Sequence, residues 1–151
     1  MTTVKNPEAE ARLLSFLDEY ADGNDLYWVP LTRLKKDIPV AAYDLDMIYR
    51  EDAVPLLEEV VRRCGITRVM TFQTDSMEFF TDDDMIALLY EKERDGYSFP
   101  WTVETFYADA SEQWMIYVSH EGTVSFTGAR IVEAARAVIP DRYRAAPNQR
   151  A

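Results

Sequence analysis

Between Trp114 and Gly128 the chain reads W-M-I-Y-V-S-H-E-G-T-V-S-F-T-G, a hydrophobic run and an alternating T-V-S-F-T run on either side of a short polar break. Both runs are rich in aromatic and β-branched residues, which predicts two strands joined by a turn, with successive side chains on opposite faces. Two registers satisfy the spacing. A two-residue loop at Glu121 and Gly122 sets Val118 beside Ser125 and Tyr117 beside Phe126, which divides the apolar residues between the two faces. A three-residue loop of His120, Glu121 and Gly122 pairs Ser119 with Thr123, Val118 with Val124 and Ile116 with Phe126. Trp114, Ile116, Val118, Val124 and Phe126 then share one face, and Met115, Tyr117, Ser119, Thr123, Ser125 and Thr127 share the other. A slip of one residue exchanges the faces, so burial selects the second register. That register also puts Gly122 where a three-residue loop needs a left-handed residue.

Elsewhere the pattern switches to helical spacing. Asn6 and Pro7 suit the cap and first position of a helix carrying Leu13, Phe16, Leu17 and Tyr20 at intervals of three and four, with Gly23 as its stop. "DLYWVP" is a short extended piece, Leu31 to Lys36 a helical turn, and "AAYDLDMIY" a strand. A second helix spans Glu51 to Cys64, with Val54, Leu57, Val61 and Cys64 as its stripe, Arg62 and Arg63 near its end and Gly65 beyond it. "ITRVMTFQ" and "SMEFF" read as strands that pair across a turn at Thr74 to Ser76. A third helix is expected to be capped by Thr81, with Asp82, Asp83 and Asp84 in its first turn and Met85, Leu88 and Leu89 inward. "WTVETFY" supplies one more strand, and "GARIVEAARAVI" a last helix ended by Pro140.

Short loops between consecutive strands imply antiparallel neighbours, because a parallel connection needs a dozen residues or more. The expected fold is therefore α+β. An antiparallel sheet, with a meander in the C-terminal half, is covered on one face by three to four helices. One domain is expected over residues 1–141, followed by a flexible tail over 142–151.

A chain of 151 residues with 48% hydrophobic and 13% aromatic content can fill one core, which argues against disorder. No apolar run approaches the roughly 20 residues of a membrane span, and "MTTVKNPEAEARLL" has no apolar signal segment, so a cytoplasmic location is expected. The single cysteine, Cys64, excludes an internal disulfide and a multi-cysteine metal site.

Charge changes the picture most. The net value is −11, which disfavours nucleic acid and anionic membrane as partners. Between Thr71 and Gly128 twelve acids face only Lys92 and Arg94, a net of −10, whereas the rest of the chain carries fifteen acids and fourteen bases. The excess is thus concentrated in one stretch. Within it, "GYSFPW" sets Tyr97, Phe99 and Trp101 around a proline, and exposed Tyr and Trp beside acids are what interaction surfaces carry. Asp75, Glu78, Asp82, Asp83, Asp84, Tyr97 and Trp101 are accordingly the expected partner-binding residues.

Catalytic chemistry is thin. His120, the only histidine, falls in the hairpin loop, and Ser119 beside it points the other way, so the two are poorly placed to act as base and nucleophile. Asp44 and Asp46 lie two apart on an expected strand and would share a face, but no Gly-rich phosphate loop accompanies them. Asp82 to Asp84 lack the spacing of a calcium loop. Cys64 lies on an apolar stripe at a helix C-terminus, where a thiolate is disfavoured. No cofactor, metal or catalytic residue is expected.

The run W-x-I-Y-x-S-H-E-x-T, Trp114 to Thr123, resembles a segment of small bacterial proteins, some of them near toxin–immunity loci. It covers ten residues and implies no site residue.

The expected function is a non-enzymatic acidic protein-binding domain, an immunity or antitoxin-like inhibitor of a basic bacterial protein. One alternative is a small enzyme or ligand-binding domain with a pocket between sheet and helices, using Asp44, Asp46, Glu104 or His120. Another is a homo-oligomer, such as a homodimer, joined through its aromatic face.

Overall fold

The computed structural model describes residues 7, 8, 10–12, 15, 39–73, 78–90, 105–119 and 122–145. Residues 7, 8, 10–12 and 15 are helical, in keeping with a helix that starts near Pro7. Strands β4 (Thr105–Ala108), β5 (Met115–Ser119) and β6 (Thr123–Thr127) are consecutive neighbours, as their short connections require. β1 (Val40–Asp44) adds outside β6, and the hairpin of β2 (Arg68–Gln73) and β3 (Glu78–Asp84) adds outside β4. The result is a six-stranded antiparallel sheet in the order β1-β6-β5-β4-β2-β3, within an α+β fold.

The β5–β6 hairpin adopts the register of the three-residue loop: Ser119 faces Thr123, Val118 faces Val124 and Ile116 faces Phe126. Gly122 has φ +85° and its N–H donates to the Ser119 carbonyl at 3.0 Å. A Cβ at Gly122 would come to 2.5 Å from Asp46 Oδ2, so a side chain there would displace the Asp46 carboxylate, and the left-handed backbone favours glycine in any case. His120 and Glu121 lie outside the described residues.

One face of the sheet, through Tyr43, Tyr107, Ile116, Val118, Val124 and Phe126, joins a single apolar cluster with the helices α1 (Leu45–Arg50), α2 (Val54–Arg63), α3 (Met85–Tyr90) and α4 (Ala129–Val138). α4 lies against β1 and β6, α1 against β6 and α3 against β3, while α2 packs on α3 and α4. Each helix gives an apolar stripe, such as Leu57, Val60 and Val61 of α2 or Ile131, Val132 and Ala135 of α4. Full burial of one such aliphatic side chain contributes about 1.5–3 kcal/mol. α2 ends in a left-handed Gly65 (φ +68°), with Gly65 N–H on the Arg62 carbonyl and Ile66 N–H on the Val61 carbonyl. This double bond closes the helix, and the Val61 and Ile66 side chains are both buried in the cluster.

The second face is buried too. Met115, Tyr117 and Ser125 are inaccessible to solvent, and so is Thr127. Phe106 stacks on its cross-strand neighbour Tyr117, with ring centroids 4.6 Å apart. None of these residues belongs to the helix-side cluster. The alternation of serines and threonines on this face therefore marks a buried polar lining. Short hydroxyl side chains suit it because they can bond one another, as Ser119 Oγ and Thr123 Oγ1 do at 3.0 Å.

The segment 41–49, expected as a single strand, divides at Asp44. The Asp44 backbone is extended and its Oδ1 accepts the Met47 N–H at 2.9 Å, so it ends β1 and caps α1. An aspartate bonding the backbone ahead of it competes with ladder pairing, and here that local bond prevails. At the other end of the chain, Arg142 to Ala145, expected in the tail, are tied to the body. Tyr143 ends a 3-10 turn (Asp141–Tyr143) and is buried, Arg144 bridges Tyr43, and Ala145 N–H donates to the Ala42 carbonyl at 3.0 Å.

Thr127 Oγ1 is buried and has no hydrogen-bond partner among the described residues. An unsatisfied buried hydroxyl costs about 1–3 kcal/mol. Thr127→Val keeps the shape and removes that group, so urea unfolding should show it to be more stable than wild type, by about 1 kcal/mol or more. A loss of stability would mean that the hydroxyl has a partner.

Candidate functional site

The acidic residues expected to meet a partner centre on the β2–β3 hairpin, whose pairing decides what each acid does. Arg68 faces Asp84 and Val69 faces Asp83, but the next pair is Thr71 with Phe80. Thr81 and Asp82 thus oppose Met70 alone, which is a β-bulge, and Asp82 takes the left-handed conformation at φ +60° that aspartate tolerates. Beyond the bulge Asp83 turns inward. It is buried, and its Oδ2 accepts the Thr71 hydroxyl at 3.0 Å.

The helix expected to start after Thr81 starts at Met85 instead. Asp82, Asp83 and Asp84 end a strand, because pairing with β2 satisfies the backbone as far as residue 84. Asp84, not Thr81, then serves as cap, its Oδ1 accepting the Ala87 N–H at 3.2 Å. The three acids separate into one buried structural acceptor and two exposed carboxylates. Of these, Asp82 already has Arg68 Nε at 3.6 Å, and Arg68 Nη1 also reaches the Asp82 carbonyl at 3.2 Å. Both side chains of that pair are largely exposed, so it is worth under about 1 kcal/mol.

Two further acids of the same stretch also hold structure. Asp109 accepts from the Ser111 N–H and from Trp114 Nε1, each at 2.9 Å, and so shapes the β4–β5 turn. Glu112 pairs with Arg12, which ties the N-terminal helical residues to that turn. Of the expected partner-binding residues, Asp82 and Asp84 are exposed near the end of β3, whereas Asp83 is buried. Glu78 lies on the same strand, with its side chain outside the described residues, as are Asp75, Tyr97 and Trp101.

The other candidates separate in a similar way. Asp44 and Asp46 do not share a strand face, since Asp44 caps α1 and Asp46 lies in its first turn. Asp46 is half-buried beside Gly122; burial, and then the nearby Asp44, push its pKa up, with Arg50 opposing. Ser119 is buried and bonded to Thr123 Oγ1. Cys64 is half-buried against the core at the end of α2, and burial pushes its thiol pKa up, so it favours packing over nucleophilic attack. Among the described residues no three His, Cys, Asp or Glu side chains converge as metal ligands, and no helix is long and apolar enough to cross a membrane.

A polar cluster that sequence reasoning missed lies at the C-terminal end. Arg142 Nη2 bonds Glu51 Oε1 at 2.5 Å and its guanidinium covers the Tyr143 ring at 4.2 Å, while the Tyr143 hydroxyl donates to the same oxygen at 3.0 Å. The Arg142 bond holds the exposed Glu51 carboxyl below its usual range. The available signal is the spacing of "DRYR", an aromatic enclosed by arginines, in a segment whose composition otherwise reads as a flexible tail.

Compared with known protein families, curated proteins and solved structures, the chain matches none.

Two outcomes test this geometry. Asp83→Ala should lower stability by about 1–3 kcal/mol, because the buried Thr71 hydroxyl loses its acceptor. Asp82→Gly, which also relieves a left-handed backbone, should change stability by less than about 1 kcal/mol in the same urea titration. For Asp46 the folded state holds the proton more tightly than the unfolded chain does, so the ionised group weakens the fold at neutral pH. That loss is relieved as pH falls through the raised pKa. Asp46→Asn should therefore be more stable than wild type at neutral pH, with the difference vanishing below the ordinary carboxylate range; a gap independent of pH would contradict this.

Proposed function

We propose that this chain is a non-enzymatic protein-binding domain of the cytoplasm whose partner is a cationic protein, and that it acts as an immunity or antitoxin-like inhibitor of that partner. The observation that carries the reading is charge placement: a net of −10 between Thr71 and Gly128, against −11 for the whole chain. Asp82 and Asp84 support it, as two exposed carboxylates near the end of β3. A negative surface of this kind attracts a basic partner over distances comparable to the Debye length, raising the association rate more than the final affinity. Asp83 contributes to the fold, not to the contact. The exposed pair also meets the demand for reversibility under salt, since it lies in water and is screened.

Because asparagine caps a helix as well as aspartate does, Asp82→Asn with Asp84→Asn removes two charges and keeps the start of α3. Proteins retained from the native lysate at about 50 mM salt and lost at about 500 mM would be identified, purified, and their association rates measured against both forms of the chain. The expected partner is basic, and the double variant associates several-fold more slowly at low salt, with the difference erased at high salt. Recovery of no basic protein, or an association rate indifferent to both substitutions and to salt, would refute the proposal.

A further inference from the structure

We propose that Tyr43, Arg136 and Arg144 form a binding site for a phosphate-type oxyanion at the β1 edge of the sheet. Tyr43 has no exposure to solvent, yet its hydroxyl finds no acceptor among the described residues. A buried phenol almost always has a partner, so an orphan at this position calls for an acceptor that the described residues do not supply.

Two guanidinium groups flank the hydroxyl, each brought there by a different element. Arg144 is the cross-strand partner of Tyr43 in an antiparallel bridge, which sends both side chains to the same side. Arg136, in the last turn of α4, reaches β1 and donates from Nη2 to the Val40 carbonyl at 3.4 Å. Both act electrostatically on the Tyr43 hydroxyl, Arg144 the more strongly, and both oppose the upward push of burial on its pKa. Arg144 approaches the hydroxyl as a donor, outside ordinary hydrogen-bond geometry, and since an arginine cannot accept, the phenol's own proton is left without an acceptor among the described residues.

These cations are weakly compensated in a chain of net charge −11. Arg136 makes no ion pair among the described residues. The carboxylate contact of Arg144 is Asp141 Oδ1 at 3.5 Å, and the Asp141 side chain is 89% exposed. Asp141 is thus a loosely held internal anion competing for the position.

The chemistry of the donors selects the ligand. Arginine offers only donors, and Tyr43 has a proton to give, so the three groups together match an acceptor-only species with negative charge. A planar carboxylate fits the fork of a single guanidinium. A phosphate offers three or more oxygens in different directions, enough for two guanidinium groups and a phenol at once.

The test is a titration of the ¹⁵N-labelled full chain with inorganic phosphate at constant ionic strength, following the amides of Tyr43, Arg136, Arg144 and Ala145. Saturable shifts confined to this region are expected, with chloride and acetate giving none. Arg144→Gln should weaken binding about ten-fold or more. Tyr43→Phe should weaken it while leaving the fold intact, and Asp141→Asn should tighten it by removing the competitor. Running phosphoserine in parallel separates the sources: tighter binding assigns the site to an esterified phosphate, weaker binding to the free ion. An absence of saturable shifts, an equal response to chloride, or affinity unmoved by Arg144→Gln and Tyr43→Phe would overturn the proposal.

Discussion

With Val118 set against Val124 and Ile116 against Phe126, the aliphatic side chains of β5 and β6 all enter the helix-covered cluster, and the hydroxyls of Ser125 and Thr127 all leave it. Shifting one strand by a single residue would drive those hydroxyls into the apolar cluster and the aliphatics out of it. Because both faces of this hairpin are buried, neither side of the sheet tolerates the exchange. The loop that sets the register also positions the start of α1: the Gly122 carbonyl accepts the N–H of Leu45 at 2.8 Å and, more weakly, that of Asp46 at 3.3 Å. Two orphan donors at that helix end are thereby satisfied, so one turn fixes the hairpin and anchors the first described helix after β1. β1 in turn pairs with β6 along its whole length, from Val40 opposite Thr127 to Asp44 opposite Thr123.

Acidity in this chain serves several ends. Asp44 and Asp84 each end a strand and cap a helix, Asp83 receives a buried hydroxyl, and Asp109 organises a turn through Ser111 and Trp114. Each of these carboxylates would be needed in a neutral protein of the same fold. The surplus that is free to act outward is smaller than the count of acids suggests. At the β2–β3 bulge one of three successive aspartates turns inward, while Asp82 and the capping Asp84 stay exposed.

Where the sequence was legible, one physical preference dominated. The β5–β6 register followed from alternation because only one pairing buries Ile116, Val118, Val124 and Phe126 together. α2 and α4 followed from apolar stripes bounded by Gly65 and Pro140. Misreadings arose where two preferences compete within a few residues. "AAYDLDMIY" has strand-like content throughout, yet Asp44 switches it to helix by a single side-chain bond. "TDDD" has the composition of a helix start, yet long-range pairing with β2 keeps it extended until Met85. Burial of the second sheet face was hidden for a different reason, since serine and threonine read as solvent-facing unless their partners across the strands are known. Of the expected site, the sequence located the exposed Asp82 and Asp84 but could not tell them from Asp83, because a bulge leaves no mark in composition.

The bridge from Arg144 to Tyr43 and the ladder between β1 and β6 join regions far apart along the chain. Topology of this kind has high contact order, and closing such large loops precedes the contacts that reward it. During synthesis, β1 leaves the ribosome long before β6 exists to receive it, so the two cannot pair until the intervening segment has been made. Until then the emerging chain must rely on local helices such as α2 and on the β2–β3 hairpin. Completion of the sheet thereby waits for β6 and the Arg144 segment, and a chain cut before them would be left with an open strand and an unfinished core.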